Sequence, residues 1–257
     1  IPCDINKQTE MPAVQLIFTT LHSGAKFNDN AYKSSGGLHG VGSSVVNALS
    51  LYCDVTINYD GMQYHIRFSN GGNVEVPLET VGKTLKHGTI VAFKPDPTIF
   101  STTDFKWDVI ASHLQEEAFL LKKVHFILND ERVKKTEEFY YENGLSEYLD
   151  VLNQSKEKMY QTIDFEDTID RIHVAMQYCK NDYGETIFSY ANNVRTKDGG
   201  THESGFKLGL TKAVNDFVTN NDLFKSKDKL DGSDIREGLT AIISVKLPVS
   251  ICEFEGQ

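Results

Sequence analysis

Apolar and polar positions recur along this chain with two periods, and the changes between them mark its elements. Residues 11–22 (MPAVQLIFTTLH) set Val14, Ile17, Phe18 and Leu21 at helical spacing, which predicts a helix with one buried stripe. Residues 23–37 (SGAKFNDNAYKSSGG) are short on apolar residues. They read as a long loop, either a ligand lid or an insertion without fixed structure. A serine-started apolar pattern over 43–50 predicts a second helix. Residues 55–59 and 62–68 then alternate around Asp60-Gly61, a tight-turn hairpin signal. Residues 73–78 and 89–94 supply two more strands, and Pro95 and Pro97 break the chain.

A helix is expected over about 103–122, with Trp107, Ile110, Leu114 and Leu121 on its buried face. Strands VHFIL and KTEEFYY flank Asn129-Asp130-Glu131, and 144–153 reads as a short helix. Residues 154–161 are polar and without period, so the domain boundary is placed there or just before, giving domains 1–152 and 153–257. Beyond it come an alternating strand at 172–178, its expected partner at 186–190, and a polar loop, NNVRTKDGGTHE, at 192–203. Thr201 is positioned to cap a helix over 202–220 that buries Phe206, Leu210, Ala213, Val214 and Phe217. A charged loop at 226–237 precedes a nearly continuous apolar strand, 239–247, suited to a sheet centre. Antiparallel strands with covering helices make the fold class α+β.

A length of 257 residues suits two domains. The net charge of −10 and pI near 5.3 argue against a surface that coats nucleic acid throughout, and leave a local basic strip open. No apolar run approaches the roughly 18–20 residues of a membrane span and no signal peptide opens the chain, so a cytoplasmic protein is expected. Cys3, Cys53, Cys179 and Cys252 are scattered and the eight histidines lack ligand spacing. That pattern reads as reduced thiols, without a metal or disulfide frame. The chain opens at Ile1-Pro2 and ends at Glu255-Gly256-Gln257, and both ends are expected to continue in something longer.

The chemistry concentrates in residues 34–50 (SSGGLHGVGSSVVNALS), where Gly36, Gly37, Gly40 and Gly42 run into the second helix. Glycine lets backbone N–H groups turn inward, and a helix start adds unpaired donors and a positive dipole end. Together they form an anion cradle of a size suited to triphosphate. Ser43 stands where a P-loop needs lysine, and Val45 where a dinucleotide fingerprint needs glycine or alanine. A plain glycine turn before a buried helix is the alternative; Lys26 and Lys33 just upstream favour phosphate. Thr89 is either a ligand-facing hydroxyl or an ordinary β-branched strand residue. Arg195, Lys197, His202 and Arg236 are either solvated or a positive patch that meets DNA phosphate or another protein chain.

These residues also carry a resemblance. Lys26-Phe27, Tyr32-Lys33, Gly36 to Gly42 and Val45 to Ser50 resemble the ATP lid and second glycine motif of the B subunits of bacterial type IIA topoisomerases, DNA gyrase and topoisomerase IV. Asn192-Asn193, Gly199-Gly200-Thr201-His202, Arg236 to Leu239 and Phe254 to Gln257 resemble their transducer. The resemblance spans essentially the whole chain. The 192–202 run and the link from Pro248 to Phe254 look more like topoisomerase IV than gyrase.

The resemblance implies a GHKL (Bergerat) ATPase sandwich followed by a ribosomal-S5-like transducer domain. It implies ATP and Mg2+ as cofactors, a homodimer of B subunits, an A subunit, and DNA passing through an ATP-operated clamp. Tyr32 would contact the adenine side; Leu38, His39, Gly40, Val41 and Gly42 would wrap the triphosphate, and Gly36 and Gly37 would belong to the same nucleotide-binding stretch. Lys26 and Lys33 would neutralise phosphate charge, Thr89 would lie at the adenine floor, and Gln257 would reach the γ-phosphate. Tyr59 falls where many relatives carry arginine. The family's general-base glutamate, its magnesium-binding asparagine, its adenine-reading aspartate and its phosphate lysine match no residue of this chain. The 257 residues alone are therefore expected not to hydrolyse ATP. The competing readings are a gyrase B subunit, a chaperone or mismatch-repair relative, and a module that only binds nucleotide or a partner.

Overall fold

The computed structural model describes residues 1–22, 40–169, 171–223, 229–248 and 252. The chain forms two compact units, Ile1–Phe105 and Lys106–Gln257. The first contains helices α1 (Ala13–Thr19) and α2 (Gly42–Ala48) and strands β1 (Ser50–Tyr59), β2 (Met62–Ser69), β3 (Asn73–Lys83) and β4 (Gly88–Pro95). The strands form an antiparallel sheet in the order β3-β2-β1-β4.

The expected hairpin is present. Tyr59 faces Met62 across Asp60 and Gly61, whose φ values of 50° and 73° give the doubly positive pair that a two-residue turn of matching twist demands. Period-two alternation then sorts the faces of β1. Cys53, Val55 and Ile57 meet Ile66 and Phe68 of β2 and Val14 and Phe18 of α1 in a closed core, where Phe18 stacks on Phe68 at 5.8 Å. The intervening positions are polar: Asp54 accepts from Arg67 at 2.5 Å and lies 3.0 Å from His65. Leu21, expected on the buried stripe, is 58% exposed because α1 ends at Thr19, before its turn.

The second unit contains α3 (Trp107–Leu120), the hairpin β5 (Phe126–Asp130) and β6 (Lys135–Phe139), and α4 (Leu145–Leu152). Then come β7 (Ile163–Asp167), β8 (Ile172–Tyr178), β9 (Thr186–Ala191), β10 (Val194–Arg195), α5 (Thr201–Asn220), α6 (Gly232–Ile235) and β11 (Leu239–Val245). The sheet order is β10-β9-β11-β8-β7. All seven residues of β11 are buried, and it runs antiparallel to β8 and parallel to β9. The centre expected for this apolar strand is therefore where it lies.

The pairing expected between 172–178 and 186–190 does not form, because β11 stands between them. A strand apolar on both faces gains more from the central place than either half-polar neighbour. The parallel β9–β11 pair needs a crossover, and β10, α5 and α6 supply it. On α3 the buried residues are Ala118 and Phe119; the expected Trp107, Ile110 and Leu114 are only half-buried. Phe119 stacks on Tyr141 at 3.7 Å and on Tyr148 at 4.6 Å. A buried polar chain ties α4 to the sheet: Asn153 Nδ2 donates to Gln177 Oε1 at 3.0 Å, and Thr240 Oγ1 donates to Asn153 Oδ1 at 2.9 Å.

Two expectations for α5 are corrected. The helix already includes Thr201, its N-cap is Gly200, and no side chain caps it; the hydroxyl sits one residue too late for the capping position. Phe206, Leu210 and Val214 are half-buried, while Ala213 and Phe217 are exposed, Phe217 by 61%. Helix α5 thus rests on a narrow i, i+4 ridge. The division between compact units falls at 105/106, so the 152/153 position chosen from the sequence lies inside the second unit.

Candidate functional site

Lys26, Tyr32, Lys33, Gly36, Gly37, Leu38, His39 and Gln257 lie outside the described residues. Gly40, Val41, Gly42 and Thr89 lie within them, all in the first unit. Gly40 has φ 58°, a left-handed conformation that glycine enters without strain. Val41 is the N-cap residue of α2, and its carbonyl accepts from the Val45 N–H at 2.9 Å and the Ser44 hydroxyl at 3.0 Å. A Cβ added at Gly42 would meet no atom of the described residues within 4 Å. Packing among the described residues therefore does not require glycine there.

Helix α2 is short, and its position is set from behind. Asn47, 1% exposed, donates through Nδ2 to the Phe18 carbonyl at 2.9 Å and the Gly72 carbonyl at 3.4 Å. Its Oδ1 is buried and has no partner among the described residues. The Ser50 hydroxyl donates to the Val46 carbonyl at 2.6 Å, and Asp96 N–H to the Leu49 carbonyl at 3.0 Å. These bonds fix the helix end and, through it, the Gly40–Val41–Gly42 backbone.

Thr89 faces Ile57 across the β1–β4 pair and is exposed; its Oγ1 lies 3.4 Å from the Ile1 amino group. The structure therefore brings the first residue of the chain to Thr89. Sequence reasoning missed the apolar surface beside this strand. Ile90, Val91 and Phe93 are 60%, 41% and 41% exposed, too much for an interior strand. Val45, Val46, Leu49, Phe93, Phe100 and Phe105 line a cavity of about 290 Å³. The only signal for it in the sequence was that Val45 and Val46 both continue the apolar run of α2, more than one face can bury. Tyr59, at the end of β1, is 43% exposed.

In the second unit, Arg195, Lys197, His202 and Arg236 do not form one positive patch. Arg236 pairs with Glu185. Lys207 bridges Glu185 and Glu203 at 2.9 Å each. Two carboxylates and two cations make that group formally neutral. Burial raises the Glu185 and Glu203 carboxyls, but hydrogen bonds from Lys207, Arg236 and Ser189 outweigh it and hold both below the usual range. Those same bonds raise the Lys207 ammonium above its ordinary value. His202 lies 3.2 Å from Thr196 Oγ1, and burial lowers its pKa against the pull of Glu203. Arg195 stacks over the Phe188 ring at 4.4 Å, and Lys197 is exposed. Among the described residues no cluster of three or more His, Cys, Asp or Glu could hold a metal ion, and all four cysteines are free.

Solved structures share this architecture along the entire chain. The 43K ATPase domain of Thermus thermophilus gyrase B, in complex with an aminocoumarin, matches with a TM-score of 0.80 and 34% identity, over 100% of this chain and 66% of that one. The topoisomerase IV ATP-binding domain of Francisella tularensis, with a small-molecule inhibitor, matches with a TM-score of 0.77 and 30% identity, over 100% and 67%. The fold is the α+β fold of these GHKL ATPase domains. Residues 144–257 match the family model described as DNA gyrase B. The chain belongs to the family of DNA gyrase and topoisomerase IV B subunits, as the glycine and transducer motifs led us to expect.

Within that family, curated relatives that match along the chain carry the topoisomerase IV name. The B subunit of DNA topoisomerase 4 from Bacillus subtilis (strain 168) is 51% identical over 248 residues, 96% of this chain and 38% of the relative. Its counterpart from Staphylococcus aureus (strain Mu50 / ATCC 700699) is 49% identical over 262 residues, 100% and 39%. The chain thus spans 38–39% of the length of these relatives.

Proposed function

We propose that these 257 residues are the ATP-operated region of the B subunit of a type IIA DNA topoisomerase, of the topoisomerase IV type. Residues 1–152 form the GHKL ATP-binding domain and 153–257 the transducer. The observation that carries the reading is the match of 96–100% of the chain, at 49–51% identity, to proteins of that name. The local geometry is compatible with it: a left-handed Gly40, a Gly42 with no described atom within 4 Å of an added Cβ, and an exposed Thr89 beside Ile1.

The residues present fit a polyphosphate. Backbone amides at Gly40, Val41 and Gly42 and the start of α2 supply directed donors, and Lys26 and Lys33 supply charge. Gly36, Gly37, Leu38 and His39 complete the wrap, Tyr32 and Thr89 take the adenine side, and Gln257 takes the γ-phosphate end. ATP, when bound, supplies the phosphoanhydride whose occupancy and cleavage set the state of the clamp. No catalytic residue is assigned within this chain, and the Mg2+ ligand is assigned outside it. Asn47 keeps α2 from shifting when the glycine backbone is loaded. The partners are a second B subunit, the A subunit and the DNA that passes between them. Among the described residues no helix is long and apolar enough to cross a membrane, and we place the protein in the cytoplasm. A gyrase B subunit is the second reading, favoured by the family model that residues 144–257 match.

The test is a titration of a non-hydrolysable ATP analogue against this chain and against one extended at both ends to the length of the gyrase and topoisomerase IV ATPase domains. Binding by the extended chain, weakened at least tenfold by Gly42→Val, supports the reading. Absence of binding in both refutes it.

A further inference from the structure

Asn192 and Asn193 are the two central residues of the turn joining β9 to β10, where Ala191 pairs with Val194. Both have positive φ, 52° and 67°, as a two-residue hairpin of matching twist requires. Asparagine tolerates that region better than other residues with a Cβ, but glycine would meet the demand at lower cost. The asparagine side chain at 192 therefore calls for a reason of its own, and its contacts supply one.

Asn192 is 3% exposed. Its backbone N–H donates to the Val245 carbonyl at 2.8 Å, at the last residue of β11. Its side chain then does what a neighbouring strand would do next. Nδ2 donates to the Leu247 carbonyl at 3.0 Å, and Oδ1 accepts from the Leu247 N–H at 2.7 Å. One amide thus satisfies both polar groups of a residue beyond the end of β11. The same Nδ2 lies 3.8 Å from Sγ of Cys252, which is 8% exposed. The chain leaving β11 is held from one side chain at residue 247 and again at residue 252.

We infer that Asn192 is a positioning residue: it clamps the chain that leaves β11, so that the segment running to Gln257 starts from a fixed point on the sheet. The inference rests on the reading above, in which Gln257 serves the γ-phosphate end of the nucleotide. It extends that reading to a residue that touches no nucleotide and explains why asparagine occupies a turn position that glycine could fill.

Three variants separate the clamp from the turn. Asn192→Gly keeps the turn and deletes the amide. Asn192→Asp keeps the shape and the acceptor for the Leu247 N–H but loses the donor. Asn193→Gly keeps both Leu247 bonds. The first readout is thiol labelling of this chain under native conditions, mapped by mass spectrometry, with buried Cys53 and Cys179 as internal references. Losing both hydrogen bonds should speed labelling of Cys252 by about tenfold or more in Asn192→Gly. Asn192→Asp should fall between, and Asn193→Gly should match the parent. Equal acceleration at Cys179 and Cys252, or none at Cys252, overturns the clamp.

The second readout uses the chain extended at both ends and compares a non-hydrolysable ATP analogue with ADP. Asn192→Gly should weaken the ATP analogue several-fold and leave ADP unchanged, because only the former carries the γ-phosphate; loss of folded protein alone would lower both in proportion. An unchanged ATP-to-ADP ratio in Asn192→Gly overturns the positioning role even where Cys252 is released. An extended parent chain with no preference for the ATP analogue refutes the assignment of Gln257 and the positioning role with it, while Cys252 labelling still decides the clamp.

Discussion

Helix α5 has no fully buried residue, so its attachment should depend heavily on the polar group at its N-terminal half, and Lys207→Met tests this. Lys207 is 29% exposed and donates to Glu203, 18% exposed, and Glu185, 34% exposed, each at 2.9 Å. A charge-assisted hydrogen bond is worth ~1.5–3 kcal/mol when buried and ~0.2–1 kcal/mol when exposed. The Glu203 pair lies between these limits, at about 1 kcal/mol. The Glu185 pair is more exposed and keeps Arg236, so about 0.5 kcal/mol is taken after screening. The substitution, which preserves the packing stem, should then cost about 1.5 kcal/mol in urea unfolding.

The pH dependence carries the sharper test. Glu185 and Glu203 have folded pKa values below their unfolded ones. Their contribution is present above the unfolded value near 4.3 and is lost as pH falls through the folded values. Lys207 is raised, so its contribution is present below about 10.4 and is lost as pH rises through the folded value. Lys207→Met should therefore flatten both the acid and the alkaline limb of the stability profile. Double-mutant cycles with Glu203→Gln and Glu185→Gln should return about 1 and 0.5 kcal/mol of coupling, compared with additivity to within about 0.3–0.5 kcal/mol for independent sites. Coupling within that scatter in both cycles, with unchanged limbs, would show that α5 is held by its apolar ridge alone.

Gly42→Ala should leave the stability of this chain unchanged or raise it by up to ~1 kcal/mol, since its Cβ meets no atom of the described residues and alanine is the better helix residue. A thermal melt checks this, and destabilisation would mean that the chain's own packing needs glycine there. Asn47→Ala removes the bonds to Phe18 and Gly72 and should cost ~1–3 kcal/mol. Hydrogen exchange should show its effect first at the amides of α2; uniform loss of protection would contradict the anchoring role. Thr240→Val leaves Asn153 Oδ1 without its donor in a fully buried site and should cost ~1–3 kcal/mol in urea unfolding. A neutral result would mean that the α4-to-sheet chain is dispensable.

What could be read from the sequence followed its local periods. The hairpin at Asp60-Gly61 was legible because the turn chemistry and the alternation on both sides agree within a few residues. The central place of β11 was legible because seven successive residues have no polar face to spare. Its neighbours were not. Pairing 172–178 with 186–190 is the natural choice for consecutive strands, and only the three-dimensional gain of burying Ile242 and Ile243 on both sides rejects it. The cap at Thr201 failed by a single residue, the scale on which helix ends are set by backbone geometry at Gly200 rather than by residue preference.

The candidate site divides along the same line. Gly40 and Gly42 announce backbone chemistry, because few other residues tolerate a left-handed turn or leave space for a ligand, and that signal is local. A glycine loop by itself specifies an anion and nothing finer; the order of motifs in both halves was needed to reach a family. The side chains that hold the machinery carry no local signal. Asn47 reads as one polar residue in an apolar helix until Phe18 and Gly72 are brought to it. Asn192 reads as a turn residue until Leu247, 55 positions later, returns to its amide. In both cases a buried asparagine ends an element by pairing with backbone that another element leaves open. That favours a working rule for this fold: a buried asparagine whose neighbourhood does not demand it marks a place where the chain must be held still.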